Sequence, residues 1–167
     1  MTFETPYRAG ILTISDRGSS GERKDESGEA ARAMLEEAGF PVARMDIVPD
    51  ELERIRAVLR KWVDQDGLAL IVTSGGTGLS PRDVTPQATR DILDYEIPGM
   101  AEAMRAASLA KTPHAMLSRA VAGVRGTSLI LNLPGSPKAV RENLATVLPA
   151  LRHGLDKLSG DPSDCAS

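Results

Sequence analysis

The sequence is poor in the side chains that carry thiol, zinc and imidazole chemistry. It has one cysteine, Cys165, in a polar C-terminal stretch, and two histidines, His114 and His153, without metal-ligand spacing. A single thiol forms no internal disulfide, which fits a reducing compartment. These counts argue against a zinc site and against a catalytic thiol.

Basic excess and long apolar runs are also missing. The 167 residues carry a net charge of −3, whereas a general nucleic-acid binder normally shows a basic excess. The longest aliphatic run, Leu68 to Val72, is far shorter than the roughly 20 residues of a membrane span, and the N-terminus lacks the apolar core of a signal peptide. We therefore expect a cytoplasmic protein that binds neither nucleic acid nor membrane. The net charge does not exclude binding of small phosphorylated ligands, because local basic residues can still bind an anion.

What the sequence does have is an alternation of strand and helix patterns. Strands are predicted for AGILTIS, PVARMDIV, LALIVT and SLILNL, with amphipathic helices between them. This pattern predicts an α/β fold of three layers, a mostly parallel sheet with helices on both faces. LALIVT is the most apolar strand, so we expect it at the centre of the sheet. Ligands in such folds bind at the carboxyl ends of the strands.

No linker or repeat divides the chain. We therefore expect one domain over residues 1–160 and a flexible polar tail over 161–167. The stretch AVAGVRGTS contains two glycines and predicts a turn or an irregular excursion. A separate final helix is predicted near Leu151 to Leu158.

The stretch TSGGTGLSPRDVTP is a glycine-rich connection between a strand and a helix. Gly75, Gly76 and Gly78 lack the β-carbons that would keep a ligand away from the backbone, and successive amides in such a turn bind anions. A tight turn without a ligand is the alternative interpretation. The loop is neither a Walker A motif nor a full dinucleotide fingerprint, because it lacks the Gly-Lys-Ser/Thr and the third glycine.

Two acids follow strand ends, and each has two interpretations. Asp83 either lies at a helix N-terminus for its dipole or binds Mg²⁺, which shares phosphate oxygens with few carboxylates. Asp50, with Glu53 three residues later, is either a helix cap or a functional acid, and the capping-box spacing favours the cap. Thr85 and Ser136 are further predicted caps, each followed by a proline.

Five motifs in this order carry a family resemblance: ISDRGSSGERKDESG, VPDE, TSGGTGLSPRDVTPQAT, LSRAVAG and LILNLPGSPK. Together they resemble the Mog-type molybdopterin adenylyltransferases of molybdenum cofactor synthesis, which are similar to the G domain of gephyrin. The resemblance covers residues 11–158.

The resemblance implies a homotrimer that transfers AMP from ATP to molybdopterin with Mg²⁺, in a pathway that continues with a molybdate-insertion protein. It makes Asp50 and Asp83 the catalytic and metal-binding acids. The residues it implies for binding nucleotide and molybdopterin are Ser74, Gly75, Gly76, Thr77, Gly78, Gly135, Ser136 and Lys138, with Ser15, Asp16 and Ser27 on the rim.

One position departs from the family pattern. Gln87 stands where many relatives have an acid, so no catalytic carboxylate is assigned there. Three alternatives share the fold: a Moa-B-type paralogue, a non-catalytic molybdopterin-binding scaffold, and a hydrolase of the competence-damage type. The intact DVTP and NLPG favour the Mog type, and the loops give no reason to prefer a hydrolase.

Overall fold

The protein is described here by a computed structural model covering residues 6–163. The last four residues of the predicted tail, which include Cys165, lie outside the described residues. Within residues 6–163, no helix combines the length and apolarity needed to cross a membrane.

The described residues form a sheet of six strands, of which four are mutually parallel. The spatial order is β2-β1-β3-β6-β5-β4, and β4 and β5 run antiparallel to their neighbours. The predicted mostly parallel sheet is therefore confirmed, with LALIVT near its centre. The strand bounds are β1 Ala9–Ile14, β2 Val42–Val48, β3 Leu70–Ser74, β4 Tyr95–Glu96, β5 Ala122–Arg125 and β6 Ser128–Leu133.

Helices cover both faces of this sheet. The helix bounds are α1 Asp16–Ser19, α2 Glu26–Glu37, α3 Leu52–Asp64, α4 Thr85–Arg90, α5 Pro98–Leu109 and α6 Pro137–Leu158, with a 3₁₀ turn at Pro113–Leu117. Neighbouring strand residues point to opposite sides. Val72 of β3 packs in one buried cluster with Leu144 of α6, whereas Ile71 packs in another with Leu59 of α3. The three-layer prediction is confirmed.

In the second half of the chain, one sequence-based prediction is confirmed in part and another is wrong. AVAGVRGTS contains the predicted turn, at Gly126, whose φ of 57° only glycine adopts easily, but it is not an irregular excursion, because β5 and β6 pair as a hairpin on either side of that turn. The final helix is not separate, since α6 runs through Pro149. Pro149 faces solvent while Val147 and Leu151 stay buried, so core packing on both sides of the proline keeps the helix continuous.

The strand order places a crevice between β1 and β3. The chain passes from β1 to β2 on one side, and from β3 to β6 on the other, so the order reverses at this point. Open α/β sheets bind ligands at such a reversal, beyond the carboxyl ends of the strands. Here those ends are Ile14, Val48, Ser74 and Leu133.

Candidate active site

A cleft of about 620 Å³ opens at the carboxyl ends of β1, β2, β3 and β6. Residues of three of the five sequence motifs, ISDRGSSGERKDESG, TSGGTGLSPRDVTPQAT and LILNLPGSPK, meet there, and Asp50 joins them from the end of β2. Nine of the predicted site residues line the cleft: Ser15, Ser27, Asp50, Ser74, Gly75, Gly76, Asp83, Gly135 and Ser136.

The glycine loop begins at the end of β3, against the end of β1. Gly75 has a φ of 99°, and a β-carbon on it would overlap the carbonyl oxygen of Ile14. Gly76 has a φ of 68°, and a β-carbon there would overlap the Thr85 hydroxyl and lie 3.2 Å from Asp50 Oδ1. Both glycines are therefore required by conformation and by space.

Serine hydroxyls fasten the neighbouring loops to one another. Ser27 Oγ donates to the carbonyl of Gly135 at 2.6 Å, and Ser74 Oγ donates to the carbonyl of Pro134 at 3.1 Å. Both serines are buried. Their hydroxyls hold the loop after β6 against α2 and β3, which leaves the backbone of that loop facing the cleft.

Asp16 and Asp50 join the ends of β1 and β2 reciprocally. The Asp16 amide donates to Asp50 Oδ2 and the Asp50 amide donates to Asp16 Oδ1, both at 3.0 Å. Arg82 donates to both oxygens of Asp16, at 2.8 and 3.0 Å, and this bond lowers the pKa of the Asp16 carboxyl. Both carboxylate oxygens of Asp16 are thus used in hydrogen bonds within the protein, and Asp16 does not line the cleft.

Asp50 is the half-buried acid of the cleft. Loss of hydration is the main cause that raises its pKa, and the negative charges of Asp16 and Asp83 act in the same direction. The Asp16 amide and the Arg82 guanidinium oppose this rise. A carboxyl with a raised pKa in a cleft beside other acids is typical of a functional site.

The capping prediction for Asp50 is wrong. Helix α3 begins at Leu52, its N-cap is Glu51, and no side chain caps it. The Asp50 carboxylate lies too early in the chain for this role and turns instead to the Asp16 amide.

The capping prediction for Thr85 is also wrong. Thr85 lies inside α4, whose N-cap is Val84. Its hydroxyl donates to the carbonyl of Gly75 at 2.9 Å, which pins the glycine loop to the start of the helix. Ser136, by contrast, caps α6 as predicted by accepting from the Ala139 amide at 3.2 Å.

Asp83 closes the turn that follows the glycines. Its Oδ2 accepts from the Ser80 amide at 3.0 Å, and its own amide donates to the Ser80 carbonyl. A β-carbon on Gly78 would lie 3.0 Å from the same oxygen. Asp83 precedes α4 without capping it and lines the cleft, a position compatible with both the helix-dipole and the metal-binding interpretation.

Three predicted binding residues lie outside the cleft besides Asp16. Thr77 and Gly78 line a neighbouring pocket of about 280 Å³, on the side of α5 and α6. Lys138 is exposed in the first turn of α6 and does not line the cleft. The spacing of glycines in the sequence does not show which of two neighbouring pockets each residue of the loop lines.

Two cations that were not predicted from the sequence, Arg23 and Lys24, also line the cleft. They precede Asp25, which caps α2 at the Gly28 amide and accepts from Thr13 Oγ1 at 2.8 Å. The detectable signal was a charged pair inside a Gly/Ser-rich loop that follows a strand. The adjacent acids masked it, because the charges of ERKDE nearly cancel in sequence.

Among residues 6–163, no three His, Cys, Asp or Glu side chains are grouped closely enough to hold a metal by themselves. A metal at this cleft would therefore take part of its coordination from the ligand's own oxygens. Mg²⁺ is typically bound in this way, by one or two carboxylates and substrate phosphates.

Residues 10–153 match the family described as a probable molybdopterin binding domain. The chain belongs to this family. The resemblance drawn from the five sequence motifs is thereby confirmed at the family level.

Relatives in this family carry informative names. The molybdopterin adenylyltransferase of Helicobacter pylori is 43% identical over 154 residues, which are 91% of this chain and 88% of that protein. The molybdenum cofactor synthesis protein cinnamon of Drosophila melanogaster is 44% identical over 92% of this chain, but the match spans 26% of cinnamon. The crystal structure of the molybdopterin biosynthesis enzyme MoaB of Thermus thermophilus aligns at TM-score 0.88 and 57% identity, covering 95% of this chain and 99% of that chain.

The close approach at Gly75 gives a prediction about stability. Gly126→Ala should cost about 1–2 kcal/mol, because it forces a left-handed conformation where no atom lies within 4 Å of the new methyl. Gly75→Ala should cost more, because the methyl also meets the Ile14 carbonyl. Urea unfolding of both variants measures the difference, and equal losses would show that β1 and β3 do not crowd this loop.

Proposed function

We propose that this protein transfers AMP from ATP to the terminal phosphate of molybdopterin, releasing pyrophosphate, in the cytoplasm. One observation carries the proposal: a single cleft brings together the glycine loop, the carboxylates of Asp50 and Asp83, and the cations Arg23 and Lys24. The adenylyltransferase among the relatives supports the same reaction. The adenylylated product is the form onto which molybdate is inserted, so a molybdate-insertion protein is the proposed partner.

The backbone of the cleft supplies donors for phosphates. Within residues 6–163, the amides of Gly76, Gly135 and Ser136 donate no hydrogen bond to protein acceptors. Gly76 and Gly135 also present no side chain to a ligand. These amides can therefore approach phosphate oxygens directly, as in other anion-binding turns.

The two acids fit Mg²⁺. Each carboxylate uses its Oδ2 within the protein, Asp50 with the Asp16 amide and Asp83 with the Ser80 amide. Their Oδ1 atoms accept no hydrogen bond from any described residue and remain available as hard oxygen ligands. Bound there, Mg²⁺ would supply neutralisation of the triphosphate charge.

The remaining side chains complete the charge arrangement. Arg23 and Lys24 lie on the α2 side of the cleft and can bind phosphate oxygens there. Nucleotidyl transfer needs mainly positioning and charge stabilisation, with little covalent help from the protein. Amides, two acids and two cations are enough for that task.

The proposal is tested by mass spectrometry of products from purified protein, molybdopterin, ATP and Mg²⁺. We expect pyrophosphate release and a pterin product carrying AMP. Tight molybdopterin binding without adenylylation would indicate a binding scaffold. Free AMP formed without pterin would indicate a hydrolase. Either result would overturn the proposed reaction.

Asp83→Asn tests the metal-binding acid. The variant keeps an oxygen for the Ser80 amide but loses the charge facing the cleft. The transfer rate should fall by about 10²–10³-fold, the usual cost of removing one electrostatic contact to a transition state. Thermal melting should stay close to wild type. An active but destabilised variant would make Asp83 a structural residue.

Asp50→Asn tests the half-buried acid through its pH dependence. Because its folded-state pKa is raised above the ordinary value of about 3.9, the protonated form favours folding, and this contribution is lost as pH rises through the raised pKa. Asp50→Asn should therefore be no less stable than wild type at pH 7, yet strongly impaired in transfer. Wild-type activity should fall with decreasing pH at higher pH than an ordinary aspartate would give. Full activity of the variant would remove Asp50 from the site.

We also propose a homotrimer, mainly because the family resemblance implies one. Large apolar side chains at the end of α5 and in the following 3₁₀ turn support it: Leu109, Met116 and Leu117 are 44%, 63% and 48% exposed in the single chain. Light scattering at micromolar concentration should give three times the monomer mass. A single monomer mass would contradict the proposal.

A further inference from the structure

Arg119 reaches from the segment before β5 across to the glycine loop. Its Nε donates to the carbonyl of Gly78 at 2.8 Å, and its Nη2 donates to the carbonyl of Asp83 at 2.7 Å. Its Nη1 donates to Gln87 Oε1 at 3.2 Å, and its backbone amide donates to the carbonyl of Thr77 at 2.9 Å. Arg119 therefore contacts both ends of the turn that runs from Gly78 to Asp83, and it also contacts helix α4 through Gln87.

The turn that Arg119 spans has little packing of its own. Residues 79–82 are exposed, and Leu79 is 64% exposed. Within this turn the hydrogen bonds between Ser80 and Asp83 are local. Local bonds set the shape of a turn but do not fix its position on the domain, and Arg82 joins one side of the turn to Asp16. The bonds from Arg119 link both ends of the turn to a distant part of the chain.

From this geometry we infer that Arg119 is a positioning residue for Asp83. It holds the main chain of Asp83 and thereby aims the carboxylate into the cleft, while its own side chain does not line the cleft. This inference rests on the proposed role of Asp83 in adenylyl transfer. The motif LSRAVAG contributes to the family resemblance but supplied no predicted site residue. Its arginine, Arg119, would orient the metal-binding acid.

The chemistry of the contact requires arginine. Each of the three side-chain nitrogens donates to an acceptor of its own, two backbone carbonyls and one side-chain amide oxygen. A guanidinium presents five donors in a planar fork, whereas an ammonium is a point charge on a flexible stem. Arg119→Lys should therefore keep a positive charge and lose the simultaneous grip on Gly78 and Asp83.

The test compares Arg119→Lys with the matched variant Arg125→Lys. Arg125 also makes three side-chain hydrogen bonds, two to Asp64 and one to the carbonyl of Ile92, at the opposite end of β5 and away from the cleft. Arg119→Lys should lower kcat by about 10- to 100-fold, the usual effect of losing a partner that orients a metal ligand. It should also raise the Mg²⁺ concentration for half-maximal rate. Arg125→Lys should change neither quantity.

Chemical rescue covers the case of a larger truncation. Arg119→Ala should recover part of its kcat when methylguanidinium is added, because the small cation can occupy the same three acceptors. Arg125→Ala should show no such recovery. Absence of rescue together with equal losses in the two arginine variants would mean that Arg119 acts through general stability alone.

Amide hydrogen exchange separates this inference from the proposed reaction. Exchange of residues 78–84 should quicken in Arg119→Lys and stay unchanged in Arg125→Lys, with or without substrates. If wild type transfers no AMP, the proposed function fails, and exchange still decides whether Arg119 fixes the turn. Wild-type exchange and wild-type kcat in Arg119→Lys would overturn the inference.

Discussion

The carbonyl oxygen of Ile14 occupies the place where Gly75 would carry a side chain, and the rest of the site depends on this contact. It lets the ends of β1 and β3 meet at the point where the strand order reverses. The chain then turns at Gly75 and Gly76, which both have positive φ, and the Thr85 hydroxyl stabilises this turn by donating to the Gly75 carbonyl. A ligand can reach the main chain here because no side chain has room to stand in the way.

Negative charge is gathered around this turn and has to be balanced. Asp16 is paired with Arg82 and is joined to Asp50 by two hydrogen bonds, each from the backbone amide of one residue to the carboxylate of the other. Asp50 is raised in pKa by lost hydration and by neighbouring acids, so its ionised form is costly in the unliganded cleft. A bound cation would relieve that cost. The arrangement thus trades some stability at neutral pH for a site that favours a metal–phosphate ligand, which is common where pKa values are perturbed.

Much of the fold could be predicted because it follows from local patterns. Apolar runs separated by amphipathic helices give a three-layer parallel sheet, and glycine-rich loops after strands mark its ligand-binding edge. The turn at Gly126 was one of two predicted alternatives, but strand β5 before it was not predicted, because two glycines in a short stretch look irregular although Ala122 and Val124 are buried as in any strand. A separate final helix was predicted near Leu151 to Leu158 because a sequence pattern does not show the core packing that keeps α6 continuous across Pro149.

The site could be predicted less completely, for a related reason. The glycine loop and the two acids show their chemistry in sequence, whereas Arg119 lies 36 residues from Asp83 and is recognised only through a hydrogen bond. Thr77 and Gly78 share the motif of the cleft glycines but face another pocket. Asp50 and Thr85 have side chains that cap helices well, but here a nearer tertiary partner takes each of them. Local propensity states what a residue can do, and the fold selects among these options.

The central claim is that Asp50 and Asp83 hold a metal on nucleotide phosphates against the glycine loop. The most direct measurement is a crystal structure with Mn²⁺ and a non-hydrolysable ATP analogue, with the metal located by anomalous scattering. The account predicts a metal peak coordinated by Asp50 Oδ1, Asp83 Oδ1 and phosphate oxygens, beside the amide of Gly76. A nucleotide bound in the pocket lined by Thr77 and Asn143, or a metal that touches neither aspartate, would contradict it.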